Sequence, residues 1–167
     1  MSLLVRKIEY NKWMQRDILK GEEPSSDAIT NCMRTTRNTL SVWCINDSTE
    51  LEEAVLAIAS QFDHLDTADF LIIEIPLLQE KHLLLNKSRG TTPYYKFADN
   101  HRDIINLDYS SLGTMAGIIV ESIRRLYRER FTRPKLINLI KQGINDGKIQ
   151  PEDLKESVRS KLLPAKP

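Results

Sequence analysis

The first residue in this sequence that could do chemistry is a carboxylate in apolar company. Glu74 interrupts the run Ala68-Asp69-Phe70-Leu71-Ile72-Ile73-Glu74-Ile75 near its C-terminal end. Ligand sites of open α/β sheets collect at that end of a strand. A buried carboxylate must be paired, or its pKa rises. Arg34 and Arg37, ahead of the preceding strand, are the expected partners. With a histidine close by, Glu74 would make a small acid/base centre. The competing reading is a structural ion pair or a strand edge facing solvent.

The histidines are His64, His82 and His101. In Asp63-His64-Leu65-Asp66 and in His101-Arg102-Asp103 a carboxylate stands near enough to orient an imidazole as a general base. The second triplet could also touch a phosphate. Solvated loops and helix ends have the same composition, and that reading is preferred for both. No histidine is spaced from another His, Cys or carboxylate as a metal pair on a helix or turn would be, so no metal is expected.

The stretch 124–141 holds the largest charge asymmetry. Arg124, Arg125, Arg128, Arg130, Arg133, Lys135 and Lys141 face only Glu129, with Tyr127 and Phe131 interleaved. Arginines beside aromatics can bind phosphates and stack on bases, which raises RNA or DNA as a partner. Glu121 lies three and four residues before Arg124 and Arg125, as in ordinary surface pairing. Cations near a helix end are also favoured by its dipole. A solvated face or a protein-binding surface is therefore the preferred reading of these residues.

Motifs with a fixed mechanism are missing. There is no GxGxxG or GxxxxGK[ST] loop for phosphates, no HExxH and no GxSxG, and no cofactor is expected. Cys32 and Cys44 have no CxxC spacing, and Cys44 reads as a small buried hydrophobe.

With 24 basic and 23 acidic residues the net charge is +1, so nothing global steers the chain to nucleic acid or to acidic membranes. A hydrophobic fraction of 41% beside 28% charged residues argues against general disorder. Arg6 and Lys7 break the opening apolar residues too early for a signal peptide. The longest apolar runs are too short to span a membrane. A cytoplasmic location, with no membrane association, is the expectation.

These residues need elements to position them. Leu3 to Ile8 reads as a first strand, Thr39 to Ile45 as a second and Ala68 to Ile75 as a third. Ser25 or Ser26 can cap a short helix through Met33. Thr49-Glu50-Leu51-Glu52 matches a capping box, and behind it Leu51, Ala54, Val55, Ile58 and Phe62 keep helical spacing. The nearly continuous apolar third strand suits the centre of a parallel sheet covered on both faces.

Pro76 can open a short helix over Leu77 to Leu85. Leu112, Met115, Ile119, Ile123 and Leu126 mark one face of a long helix running to about Arg130. Gly113 and Gly117 share one side of it and suggest close packing against a neighbour. Thr132-Arg133-Pro134 restarts a helix that Gly143 or Gly147 ends, and Pro151 opens a last one. The tail Pro164 to Pro167 is expected to fray.

The expected fold class is α/β, with α+β as the alternative: a small, mainly parallel sheet of about three strands, followed by a helical part. One domain spans 1–167, with 1–85 as the α/β core, 86–108 as loop or irregular connection, and 109–163 as the helical part. The expected function is that of a non-catalytic accessory or regulatory subunit docking on another protein or on itself, since amphipathic helices supply such faces. An RNA- or DNA-binding factor using 124–141 is the first alternative. A small enzyme around Glu74, His64 or His101 is the second.

Overall fold

The computed structural model describes residues 2–162; the tail expected to fray lies outside them. In chain order the elements are β1 (Leu3–Ile8), the single turn α1 (Tyr10–Trp13), α2 (Ser26–Cys32), β2 (Leu40–Ile45), α3 (Leu51–Ala59), β3 (Ala68–Glu74), α4 (Ile75–Glu80), β4 (Leu84–Lys87), β5 (His101–Ile105), α5 (Tyr109–Arg124), β6 (Arg128–Phe131), α6 (Arg133–Asn145) and α7 (Glu156–Leu162).

The six strands form one sheet in the order β4-β5-β2-β1-β3-β6, and every pairing is antiparallel. This overturns the expected α/β class with its small, mainly parallel sheet: the architecture is α+β. The error has a physical source. β2, α3 and β3 do follow one another as strand, helix, strand, and β2 and β3 do run the same way. But β1 is inserted between them and is antiparallel to both, as in a split βαβ unit.

Continuous apolarity in β3 reports cover on both faces, and helices can cover an antiparallel sheet as well as a parallel one. Alternate residues of each strand feed two cores. Leu4, Val42, Leu71 and Ile73 pack with Trp13, Met115, Ile119 and Ile123 on the side of α1, α2, α4 and α5. Val5, Trp43 and Phe70 pack with Val55, Leu136, Ile140 and Val158 on the side of α3, α6 and α7.

Three further strands arise, two of them where none was expected and one in the connection 86–108, which could add a strand or none. β4 occupies the end of the span assigned to helix 77–85, β5 lies in the connection 86–108, and β6 lies within the basic stretch. Four residues such as Arg128-Glu129-Arg130-Phe131 are too few and too charged to announce a strand. Pairing with β3 makes it one.

Local signals did better at several helix starts. Ser25 caps α2 by accepting from the Ala28 N–H, and Thr132 caps α6 by accepting from Lys135. The Thr49–Glu52 capping box does not form; Asp47 accepts from the Thr49 N–H, and Glu50 turns back to Asn46. The box that does form joins Asp108 and Ser111 at the start of α5.

β1 and β2 pair over only three positions, Leu3–Ile45, Leu4–Cys44 and Val5–Trp43. Beyond Val5 the two strands part, although β1 stays paired to β3 and β2 to β5. The sheet is therefore split at its centre along the second half of β1.

Candidate functional site

The chemistry the sequence suggested is dispersed or internally satisfied. Glu74 accepts from Arg125 Nη1 at 3.0 Å, with about a quarter of its side chain exposed. Arg34 and Arg37 take part in no ion pair among the described residues, and Arg37 instead sits at positive φ in the turn before β2. Glu74 is thus the structural alternative considered for it. His64 is exposed in its loop. His101 is three inter-strand steps from β3 across the sheet, or about 14 Å at ~4.8 Å per step. No acid/base pair between Glu74 and a histidine is assembled.

His101 has company of its own. Its Nδ1 lies 2.8 Å from Ser88 Oγ, which donates to Asp103 Oδ2 at 2.6 Å. The hydroxyl stands between the imidazole and the carboxylate, whereas nucleophile activation needs the imidazole in the middle. The Trp43 ring meets His101 edge-on at 5.1 Å. Burial holds the imidazole below its ordinary pKa, with Asp103 opposing that effect. The trio pins the segment after β4 to the sheet. Nothing in the sequence pointed to Ser88, thirteen residues away.

The basic stretch is consumed in the same way. Arg124 donates twice to the Ile18 carbonyl, at 2.8 and 2.6 Å. Arg125 binds Glu74 and Glu121. Arg128 and Arg130 converge on the buried carboxylate of Asp69, and Arg128 also lies over the Tyr10 ring at 4.0 Å. Lys135 reaches Glu52 at 3.6 Å and covers the Phe131 ring. Arg133 and Lys141 enter no ion pair among the described residues and stand with Lys135 on α6, whereas Arg124 ends α5 and Arg128 and Arg130 lie on β6.

What is left open is the outer face of α5. This helix ends at Arg124, six residues short of the expected end, and Leu126 leaves the apolar stripe to stand 84% exposed at φ 60°. It occupies the left-handed position after the helix, where the Tyr127 N–H returns to the Ser122 carbonyl at 3.0 Å. Glycine is the usual residue there.

Gly113 and Gly117, expected to pack against a neighbour, have no atom of another element within 4 Å of where a side chain would begin, among the described residues. Gly143 on α6 is different: a Cβ there would lie 2.9 Å from Leu56 Cδ2, so packing explains that glycine. With Ala116, Val120 and Ile29, the two α5 glycines line a groove of about 640 Å³ whose far wall is Glu22, Glu23 and Pro24.

Two exposed apolar side chains lie near the groove walls in sequence. Tyr109 opens α5 at 96% exposure, and Leu19, 53% exposed, follows the Ile18 whose carbonyl holds Arg124. Sequence reasoning found the glycines but not the groove, whose second wall comes from residues some ninety positions earlier.

No family model, curated protein or solved structure matches this chain. Its own geometry must carry the functional reading. Among the described residues no three His, Cys, Asp or Glu side chains gather as a metal site, and no helix is long and apolar enough to cross a membrane.

Proposed function

We propose that this chain is a non-catalytic docking subunit that receives an α-helix of a partner protein in the groove along α5. The observation that carries this reading is that the exposed face of α5 breaks local rules for no internal gain. Glycine inside a helix costs roughly 0.5–1 kcal/mol against alanine, yet nothing among the described residues uses the space at Gly113 or Gly117. A leucine holds a left-handed position and exposes its side chain at the end of the same helix. Residues that contradict local preference gather where function demands them.

The occupant follows from the walls. A floor without Cβ atoms lets a helix backbone approach closely, so the facing residues of the partner helix are small. Glu23 has no ion-pair partner among the described residues, Glu22 beside it pairs with Arg16, and Arg124, which also lines the groove, is turned to the Ile18 carbonyl. Lysine or arginine beside the small residues of the partner would meet Glu23. The two cysteines are unpaired, which suits a reducing compartment such as the cytoplasm.

Affinity capture from native cells, run in parallel with wild type and with a Gly113→Gln/Gly117→Gln variant, tests the reading. A stoichiometric protein held by wild type and lost by the folded variant supports it. Equal retention by both, a bound nucleic acid that salt removes, or no retained protein at all overturns it.

A further inference from the structure

The split between β1 and β2 is not empty of chemistry. It forms a crevice of about 280 Å³ whose lining includes Arg6, Cys32, Ser41, Trp43 and Ile58. Arg6 points into the gap from β1. Its Nη1 donates to the Ser41 carbonyl on β2, and its Nη2 donates to the Cys32 carbonyl at the end of α2, at 2.6 Å. A guanidinium has five N–H donors, so three remain, and Nε is enclosed with no partner among the described residues.

The charge of Arg6 is uncompensated as well. No carboxylate lies within ion-pair distance of it among the described residues. Glu9, the nearest acidic residue along the chain, also lines the crevice, but its carboxylate pairs with Lys7, another lining residue, at 3.3 Å. Burial lowers the Arg6 pKa to about 10 against an opposing pull from the Cys32 sulfur, which leaves it cationic at neutral pH. A half-buried cation held by two backbone carbonyls, with the Cys32 sulfur beside it but no carboxylate, is a poor final state, because its desolvation is incompletely offset by an opposite charge. An anion seated in the crevice would supply that charge, and the guanidinium fork suits two-oxygen groups. Trp43 and Ile58 give the same crevice an apolar wall.

We propose that the crevice between β1 and β2 binds a small oxyanion, either a carboxylate or a phosphate, with the Arg6 guanidinium as its counter-charge. The volume admits a compact ligand and excludes a folded polymer. The crevice shares no lining residue with the α5 groove, and its ligand does not depend on the docking reading.

The test follows the Arg6 Nε–H signal of the intact protein by NMR during titration with sodium phosphate and, separately, sodium butyrate, against sodium chloride at equal ionic strength. A saturable shift with phosphate or with butyrate, absent with chloride, is expected, with a Kd in the millimolar range or tighter. Which anion produces it identifies the head group. Calorimetry should show the same binding lost in Arg6→Met. No saturable shift with either anion, or an equal shift with chloride, overturns the proposal, and that outcome is read on the wild-type chain without any variant having to fold.

Discussion

Arg6 reaches across the opening between β1 and β2 to donate a hydrogen bond to the backbone carbonyl of Ser41. Ladder pairing between these strands stops at Val5 and Trp43, so the carbonyls beyond face a gap. A buried carbonyl without a donor costs about 1–3 kcal/mol. The guanidinium serves two carbonyls, the exposed one of Ser41 on β2 and the part-buried one of Cys32 on α2. A side chain thereby does what backbone pairing does elsewhere, and the sheet can part at its centre.

That arrangement is sensitive to head-group shape. Lysine keeps the charge but lacks the planar fork that serves two carbonyls at once. Arg6→Lys should destabilise the fold by about 2 kcal/mol, the value of one or two stranded acceptors. Urea denaturation checks it, and an unchanged midpoint would show that the gap is held open without Arg6.

Gly113→Ala and Gly117→Ala should each stabilise the isolated protein, by about 0.5–1 kcal/mol on helix propensity. The space is free, so no clash opposes the gain. Gly143→Ala must instead displace Leu56 and should not stabilise. Thermal denaturation of the three variants separates the two kinds of glycine. If the α5 changes destabilise, those glycines serve the fold and docking on α5 loses its basis.

Leu126→Gly should raise stability by about 1 kcal/mol, because glycine adopts the left-handed conformation without steric cost. The same change should weaken capture of the partner. A loss of stability would mean that the exposed leucine contributes to packing after all.

The His101 imidazole sits below its ordinary value of 6.5 in the folded chain, where burial outweighs the pull of Asp103 and Arg102 adds to the depression. The unfolded chain therefore takes up a proton first as pH falls. The stability that neutral His101 contributes is full above about pH 6.5 and is lost progressively below it. Chemical denaturation at a series of pH values should show this slope, and His101→Asn should flatten it.

Asp69 and Glu74 lie on the same strand and make opposite predictions. The Asp69 side chain is 10% exposed between two arginines, whereas the Glu74–Arg125 pair is open to solvent at 25% and 47%. Asp69→Asn should cost about 2 kcal/mol, below the roughly 3–5 of a fully buried pair because both arginines are partly exposed. Glu74→Gln should cost less than about 1 kcal/mol, as surface pairs do. Denaturation midpoints that reverse this order would show that burial does not set the value of these pairs.

What the sequence determined by itself was local. Apolar spacing of 3.6 marked α3 and most of α5, β-branched and apolar runs marked β1, β2 and β3, and side-chain caps marked α2 and α6. Each of these signals lies within about a dozen consecutive residues, where neighbours along the chain are neighbours in space. Partners were not legible, because they meet across long separations. Glu74 finds Arg125 at 51 residues' distance and Asp69 finds Arg130 at 61.

The same separation hid the sheet. β4 and β6 are four residues each, and only pairing with β5 and β3 makes them strands. Insertion of β1 between β2 and β3 decides that the sheet is antiparallel, and no periodicity within a strand records which neighbour it will have. The tertiary structure alone therefore decided which carboxylates and carbonyls the basic residues meet. It alone left the α5 glycines uncovered, and it alone put Arg6 in the split, since each depends on which distant backbone arrives alongside.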